Sequence, residues 1–332
     1  MTERLHGVNL GGWLLLEKWM TPSLFEGTDT EDEYAFMQSL DAVKKIDRHR
    51  RTFITERDFR WLSQNGINAV RIPIGYWVFE DDDPYVASIT YLDKAVKWAK
   101  KHDIQVLIDL HGAKGSQNGQ HHSGRGGSST WFRSSRYRQE TIEILVALAA
   151  HYTDQPHVWG IELLNEPKWG LFHFKLRRFY KQAYKAIIDV ARPGLNIVFH
   201  DAYTPRLMSG AIRARVNYPT VMDVHWYQFS SILRKIIPLG LYFKRVKHRA
   251  MTIDYLQHQQ PVIIGEWSVT LSGDILAGRS VAAENEAFKK HGELQIEVFK
   301  GAAGWFYWTY KTEGRGIWHF RSLIEDGVIC LD

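Results

Sequence analysis

Short apolar runs alternate with longer amphipathic stretches along the whole chain. Val8–Leu10 opens the series, and a helical stretch over Glu56–Gln64 leads through the Asn65-Gly66 turn into Ile67–Ile72. Tyr91–Lys101 precedes Ile104–Leu110, Arg138–Ala150 precedes Val158–Leu164, and Phe174–Ala191 precedes Asn196–His200. A short helical segment then leads to Val221–Trp226, His248–His258 to Val262–Gly265, and Val281–Lys300 to Trp305–Trp308. The short runs are mostly continuous rather than alternating, the signature of parallel strands buried on both faces. Eight of them separated by helices predict an α/β fold, a (β/α)8 TIM barrel, with residues 1–332 as a single domain. The connections after strands three (Gly112–Ser135) and six (Gln228–Lys247) are long, the first rich in Gly, Ser and His, the second apolar and basic. Both follow strand carboxyl ends, the catalytic face of such barrels, and long loops in compact domains are usually functional.

Composition agrees with a large core and narrows the function. Of 332 residues 45% are hydrophobic, and the 13 Trp exceed what a core requires. Indole rings near strand ends suit the flat apolar faces of sugars. The lone Cys330 allows no intrachain disulfide and offers no metal motif. The net charge of +5 is spread along the chain without a nucleic-acid motif, so nucleic acid is not an expected partner. The start Met-Thr-Glu-Arg-Leu-His-Gly runs almost directly into strand one, with no apolar leader or membrane-length run, so a cytoplasmic enzyme is expected.

The chemistry sits at the strand ends. Ile161-Glu162-Leu163-Leu164-Asn165-Glu166-Pro167 and Pro261-Val262-Ile263-Ile264-Gly265-Glu266-Trp267 each close an apolar run with a glutamate. A polar group there is costly to bury unless it is used or paired, and two carboxylates at one mouth are what glycosidic cleavage requires. Strand two ends at Arg71, strand three at His111, strand six at His225 and Tyr227, and strand eight at Trp308. His111 and His225 as metal ligands lack a third ligand at close spacing, so hydrogen-bonding roles are expected, with neither metal nor cofactor. Trp308 as ordinary core and the two glutamates as a structural ion-pair set are the bland alternatives.

This set resembles glycoside hydrolase family 5, and within it the exo-β-1,3-glucanase branch. Gly7-Val8-Asn9-Leu10-Gly11-Gly12-Trp13-Leu14 and Asp109-Leu110-His111-Gly112, with Gly115-Ser116-Gln117-Asn118-Gly119 after it, carry the likeness, which runs from about residue 7 to 310. The resemblance implies a retaining double displacement, with Glu266 as nucleophile and Glu166 as acid/base. It implies that Arg71 and Tyr227 hold Glu266, that Asn165 binds the sugar 2-hydroxyl, that His111 and His225 line the same subsite, and that Trp308 forms its floor. Glu17 would clasp the terminal sugar; its bland reading is a surface glutamate. Glu166 is expected to rest protonated through burial and the charge of Glu266.

Two departures bear on the substrate. The branch carries a Phe-Asp-Asn-Ser-Gly-like stretch where this chain has Gln120-His121-His122-Ser123-Gly124, so His121 replaces an acid that accepts sugar hydroxyls. Segments 232–245 and 169–178 mix bulky apolar residues with cations, a composition suited to an anionic membrane or a lipid aglycone; the alternative is that they pack against each other or a second subunit. The expected activity is exo-acting hydrolysis of β-glucosides or β-1,3-linked gluco-oligosaccharides. Alternatives are a glycolipid β-glucosidase, a β-mannosidase, transglycosylation, and a catalytically silent sugar-binding barrel.

Overall fold

The computed structural model describes residues 4–168, 170, 172–227, 238–271 and 273–331. Eight parallel strands close into a barrel in sequence order: β1 (Leu5–Asn9), β2 (Ala69–Gly75), β3 (Gln105–Gly112), β4 (Val158–Glu162), β5 (Asn196–His200), β6 (Thr220–His225), β7 (Val262–Trp267) and β8 (Gly304–Tyr307). Closure is made by β1 on β8, where Leu5 pairs with Gly304 and Val8 with Tyr307. A helix follows each strand: α1 (Glu56–Gln64), α2 (Ile89–Lys101), α3 (Ser135–His151), α4 (His173–Ile188), α5 (Pro205–Met208), α6 (Leu239–Gln257), α7 (Val281–Phe299) and α8 (Phe320–Glu325). The barrel expected from the pattern is therefore the barrel observed.

Two apolar layers hold it. Leu5, Ala69, Leu107, Val198, Val221, Ile263 and Phe306 form a small cluster inside the barrel. A much larger cluster joins the outward strand positions, such as Val70, Ile72, Val106 and Ile264, to the helices around them. Small residues let the strands pack: a Cβ on Gly265 would lie 1.9 Å from Asp223 Oδ2, whose carboxylate receives the Gly265 N–H at 2.6 Å. That close approach fixes the backbone just before Glu266.

The helix expected over His248–His258 instead begins at Leu239, so the part of the apolar and basic stretch from Leu239 to Lys247, read as loop, is the first half of α6. Tyr242, Val246, Ile253 and Leu256 are its buried residues, and α6 packs on α7. Lys244, Arg245 and Lys247 are exposed on the opposite side. Interleaved cations hid a helical period that the buried residues keep. In the other cationic stretch, Phe172 stacks on Phe132 at 5.0 Å and Leu176 is buried. Residues 232–237, Trp169 and Leu171, which belonged to the lipid-contact expectation, lie outside the described residues. No helix among those described is long and apolar enough to cross a membrane.

The connection from β1 to α1 also contains helices the pattern did not predict, Glu33–Phe36 and Ala42–Thr52. They are tied by the buried ion pair Arg50–Glu33 at 3.4 Å.

Candidate active site

Towards the carboxyl end of the barrel the interior turns polar, and Arg71 on β2 organises it. Its Nε donates to Glu162 Oε2 at 2.8 Å, its Nη1 to Glu266 Oε1 at 3.1 Å and Asn9 Oδ1 at 3.0 Å, and its Nη2 to Asn165 Oδ1 at 2.9 Å. Asp109 Oδ2 lies 3.1 Å from Nη2 and Asp223 Oδ2 3.8 Å from Nε. Burial disfavours the guanidinium charge, but Asp109, Glu162, Glu266 and Asp223 outweigh it and hold Arg71 protonated. One cation facing several buried carboxyls cannot balance them all. Burial, with the charges of Asp223 and Asp109, pushes the Glu162 carboxyl well above its usual range despite Arg71. Glu162, Asp109 and Asp223 were not predicted as site residues, although each is a lone acid in an apolar run and so carried a signal.

Glu266, on β7, is fixed on both oxygens. Arg71 takes Oε1, and the Tyr227 hydroxyl donates to Oε2 at 2.7 Å. Glu166 lies just past β4 with φ of 40°, a left-handed conformation that a non-glycine residue adopts only when its surroundings impose it. The loop after β3 supplies that hold. Gln117 donates to the Asn165 carbonyl at 2.9 Å, and Asn118 to the Glu166 carbonyl at 3.0 Å.

His225, at the end of β6, stands between the two glutamates. Its Nδ1 is 2.7 Å from Glu166 Oε1 and 3.5 Å from Glu266 Oε2, and its Nε2 is 3.4 Å from Asp223 Oδ2. Burial would deprotonate the ring, but Glu266, Asp223 and Glu166 raise its pKa well above the ordinary histidine value. Burial likewise pushes Glu166 up, but the hydrogen bond and charge of His225, helped by His122 and His200, take it well below the usual carboxylate range. Burial and the charge of Glu166 raise Glu266, against His225 and Arg71. Both shifts favour the proton on the histidine, whereas the sequence led to the expectation of a protonated Glu166; the cause is an imidazole facing three acids at once.

These groups open into a cup of about 410 Å³, lined further by Glu17, Trp19, His111, His122, Tyr203, Trp308 and Trp318. His111 stacks on Trp308 with centroids 5.6 Å apart, donates Nδ1–H to Asp109 at 2.6 Å, and receives Asn165 Nδ2 at 3.2 Å. Trp308 joins Thr309 through a cis peptide bond. Glu17 accepts the Trp19 indole N–H at 2.8 Å, and burial pushes its carboxyl up to about 7. The cup wall thus carries Glu17, His111, Glu166, Tyr227, Glu266 and Trp308, with Arg71, Asn165 and His225 buried behind it, all expected from the sequence.

His121 is the exception. It is exposed and absent from the cup wall, while its neighbour His122 lines it. Both stand on the single 3-10 turn His121–Ser123, which turns successive side chains in different directions. The sequence reading also missed Tyr203, which lines the cup together with Glu166. Tyr203 sits in a turn after β5 and has no strand-end pattern to mark it. Among the described residues, Glu166, His200 and His225 come near a metal-ligand set, with ligand atoms within 4.8 Å. His225 Nδ1 is engaged by Glu166, however, and His200 Nδ1 accepts the Ala202 N–H at 2.9 Å.

Comparison with known proteins accords with this geometry. Residues 34–314 match the cellulase (glycosyl hydrolase family 5) family. A glucan 1,3-beta-glucosidase of Blumeria graminis is 34% identical, over 98% of this chain and 87% of that protein. Glucan 1,3-beta-glucosidase 1 of Schizosaccharomyces pombe is 33% identical, over 98% and 88%. In fold, a rutinosidase from Aspergillus niger superposes with a TM-score of 0.83 at 20% identity, covering 98% of both chains. A glycoside hydrolase family 5 enzyme from Prevotella bryantii does so with a TM-score of 0.70 at 13% identity, covering 99% of both. With a family match over most of its length and relatives a third identical along nearly all of it, this chain belongs to glycosyl hydrolase family 5.

Proposed function

We propose that the protein is a retaining, exo-acting β-glucosidase of short β-1,3-linked gluco-oligosaccharides. The observation that carries this reading is the pair Glu166 and Glu266 on one cup, both within reach of the same histidine nitrogen. Retaining enzymes hold their carboxyls about 5–5.5 Å apart, and inverting enzymes hold them farther apart to admit a water. The His225 contacts favour the shorter spacing. The glucan specificity follows the activity named for the relatives. The modest cup suits a chain end.

In this mechanism Glu266 attacks the anomeric carbon, oriented by Arg71 and Tyr227. As its charge is consumed in the glycosyl ester, His225 loses one of the carboxylates that stabilise its imidazolium. In the same step, as the bond from the anomeric carbon to the leaving oxygen breaks, the proton passes along the 2.7 Å hydrogen bond to the Glu166 carboxylate and on to that oxygen. In the second half Glu166 takes a proton from water, hydroxide displaces Glu266, and the restored carboxylate draws the proton back onto His225. Asn165, held by Arg71 and His111, is placed for the 2-hydroxyl; His111 and Trp308 form the wall beneath the ring.

The test is a panel of aryl β-glycosides (glucoside, mannoside, galactoside, fucoside) and laminari-oligosaccharides. The expected result is cleavage of the glucoside and release of glucose from chain ends. Glu266→Ala should lose at least about 10⁴-fold in kcat, with azide restoring part of it by entering on the face that Glu266 vacates, to give the α-glycosyl azide of inverted configuration. Preferential cleavage of the mannoside would replace the glycone. An inverted first product from the wild-type protein would overturn the double displacement.

A further inference from the structure

Outside the cup, a groove of about 550 Å³ runs between α3 and α4, which pack side by side. Arg136, Arg138, Gln139, Phe174, Lys175 and Arg178 stand on its walls, and none of the residues lining it lines the cup. Arg138 Nη1 donates to the Phe132 carbonyl at 2.9 Å, and Lys175 Nζ donates to the same oxygen at 3.3 Å. Two cations thus meet at one neutral acceptor. Arg136 is paired with Glu140 at 2.6 Å, but among the described residues no carboxylate lies within ion-pair distance of Arg138, Lys175 or Arg178.

The sequence sets these charges against their surroundings. Neither α3 nor α4 carries an acid in its first turn, where the helix dipole favours one. Instead Arg136 and Arg138 fall within the first four residues of α3, and Lys175 is the third residue of α4 with Arg178 one turn on. α4 also lacks a side-chain cap. Burial and the charge of Arg178 lower the Arg138 guanidinium below its ordinary pKa, because the two cations repel with no acid between them. Such a breach of local charge rules is characteristic of functional sites.

We propose that this groove binds a phosphate-bearing ligand, with the phosphate seated among Arg138, Lys175 and Arg178. A tetrahedral oxyanion accepts several hydrogen bonds at once, and guanidinium forks fit its oxygens. Its charge relieves the repulsion between the cations. One phosphate fills only part of the groove, and the ring of Phe174, 68% exposed beside the cations, offers an apolar wall to the rest of the ligand. The inference goes beyond the glycosidase reading and does not depend on it.

The probe is pyrophosphate, titrated calorimetrically into the wild-type protein in low-salt buffer, where one saturable site is expected. Arg178 is exposed, so Arg178→Gln leaves the core untouched and should weaken that site about tenfold or more, the value of a hydrogen bond between charged groups. Lys175→Gln should do the same. Arg245→Gln removes an equal charge from the exposed side of α6 and should leave the site within about twofold. Vesicles of phosphatidylcholine with and without phosphatidylglycerol separate the sources of the phosphate. Flotation with the anionic vesicles alone, abolished by Arg178→Gln, identifies a lipid headgroup; pyrophosphate binding without flotation identifies a soluble phosphate compound. No saturable binding of pyrophosphate, or equal weakening by Arg178→Gln and Arg245→Gln, would overturn the proposal.

Discussion

Tyr203 shows how a single residue can be committed to a site at a cost in local conformation. Ala202 and Tyr203 have φ of 47° and 58°, two consecutive non-glycine residues in the left-handed region. Such positions cost on the order of 1 kcal/mol or more each and persist where surroundings enforce them. Here His200 Nδ1 takes the Ala202 N–H and Asp201 Oδ1 the Tyr203 N–H, both at 2.9 Å. The turn places Tyr203 on the cup wall with Glu166, and desolvation together with that carboxylate raises the phenol pKa and keeps it protonated. Tyr203 is a positioning residue for the acid/base. Tyr203→Phe removes a donor beside the ionised carboxylate, so the apparent pKa of Glu166 should rise and the corresponding limb of the kcat/KM profile should move to higher pH. For a glucoside with a poor leaving group kcat should fall about tenfold, the worth of a hydrogen bond to a charged group. A dinitrophenyl glucoside, which leaves without protonation, should lose little; equal losses on both would reduce Tyr203 to a structural support.

At the scale of elements, the stretch opening α6 is the clearest case of composition misleading and packing deciding. Its apolar residues suggested a membrane or lipid surface, yet Tyr242 and Val246 are buried within the helix that packs on α7. Ile253 on the same helix is buried, while Leu241 is 47% exposed. Ile253→Ala should therefore cost about 2–5 kcal/mol in denaturant unfolding, the range for truncating a buried aliphatic side chain. Leu241→Ser should change stability by no more than about 0.5 kcal/mol. Comparable costs at the two positions would mean that Leu241 is covered by something else. The loop after β3 works differently: Gln117 and Asn118 grip the backbone of Asn165 and Glu166, so one connection sets the geometry of the next strand's catalytic end.

Across the whole molecule, buried ionisable groups give stability a pH dependence of mixed sign. Burial pushes His49, His122 and His291 down to about 4 and His200 to about 3. A histidine depressed on folding contributes stability above its unfolded pKa of about 6.5 and loses it as pH falls towards the folded value. Burial raises Glu33 and Asp201 to about 7; these contribute fully below the ordinary carboxyl pKa and lose that contribution as pH rises through about 7. The two sets oppose each other over the same window, so single substitutions separate them better than the total does. His291, whose ring bonds the Val269 carbonyl at 2.9 Å, lies away from the cup. The stability gap between wild type and His291→Gln should narrow by about 3 kcal/mol from pH 7 to pH 4, following the 1.36 kcal/mol per pKa unit of linkage. A gap constant with pH would show that His291 does not titrate in this range.

By itself the sequence determined the number and order of strands, the barrel they form and the two glutamates at their ends. Glu56–Gln64 and Asn196–His200 coincide with α1 and β5, because helical period, turn residues and continuous apolar runs are local signals, readable without knowing what packs where. Glu166 and Glu266 were legible for the same reason, as lone acids closing apolar runs. Tertiary structure alone decided the rest. Which of two adjacent histidines lines the cup depends on how one short turn is clamped. Which partner of the Glu166–His225 pair keeps the proton depends on Glu266 and Asp223, acids contributed by β7 and β6. Arg71 reaches Glu266 across 195 residues of chain, and Tyr203 joins Glu166 on the cup wall from a turn with no pattern of its own. Charge and hydrogen bonding depend on distance in space, and barrel closure sets those distances between residues that no local window contains together.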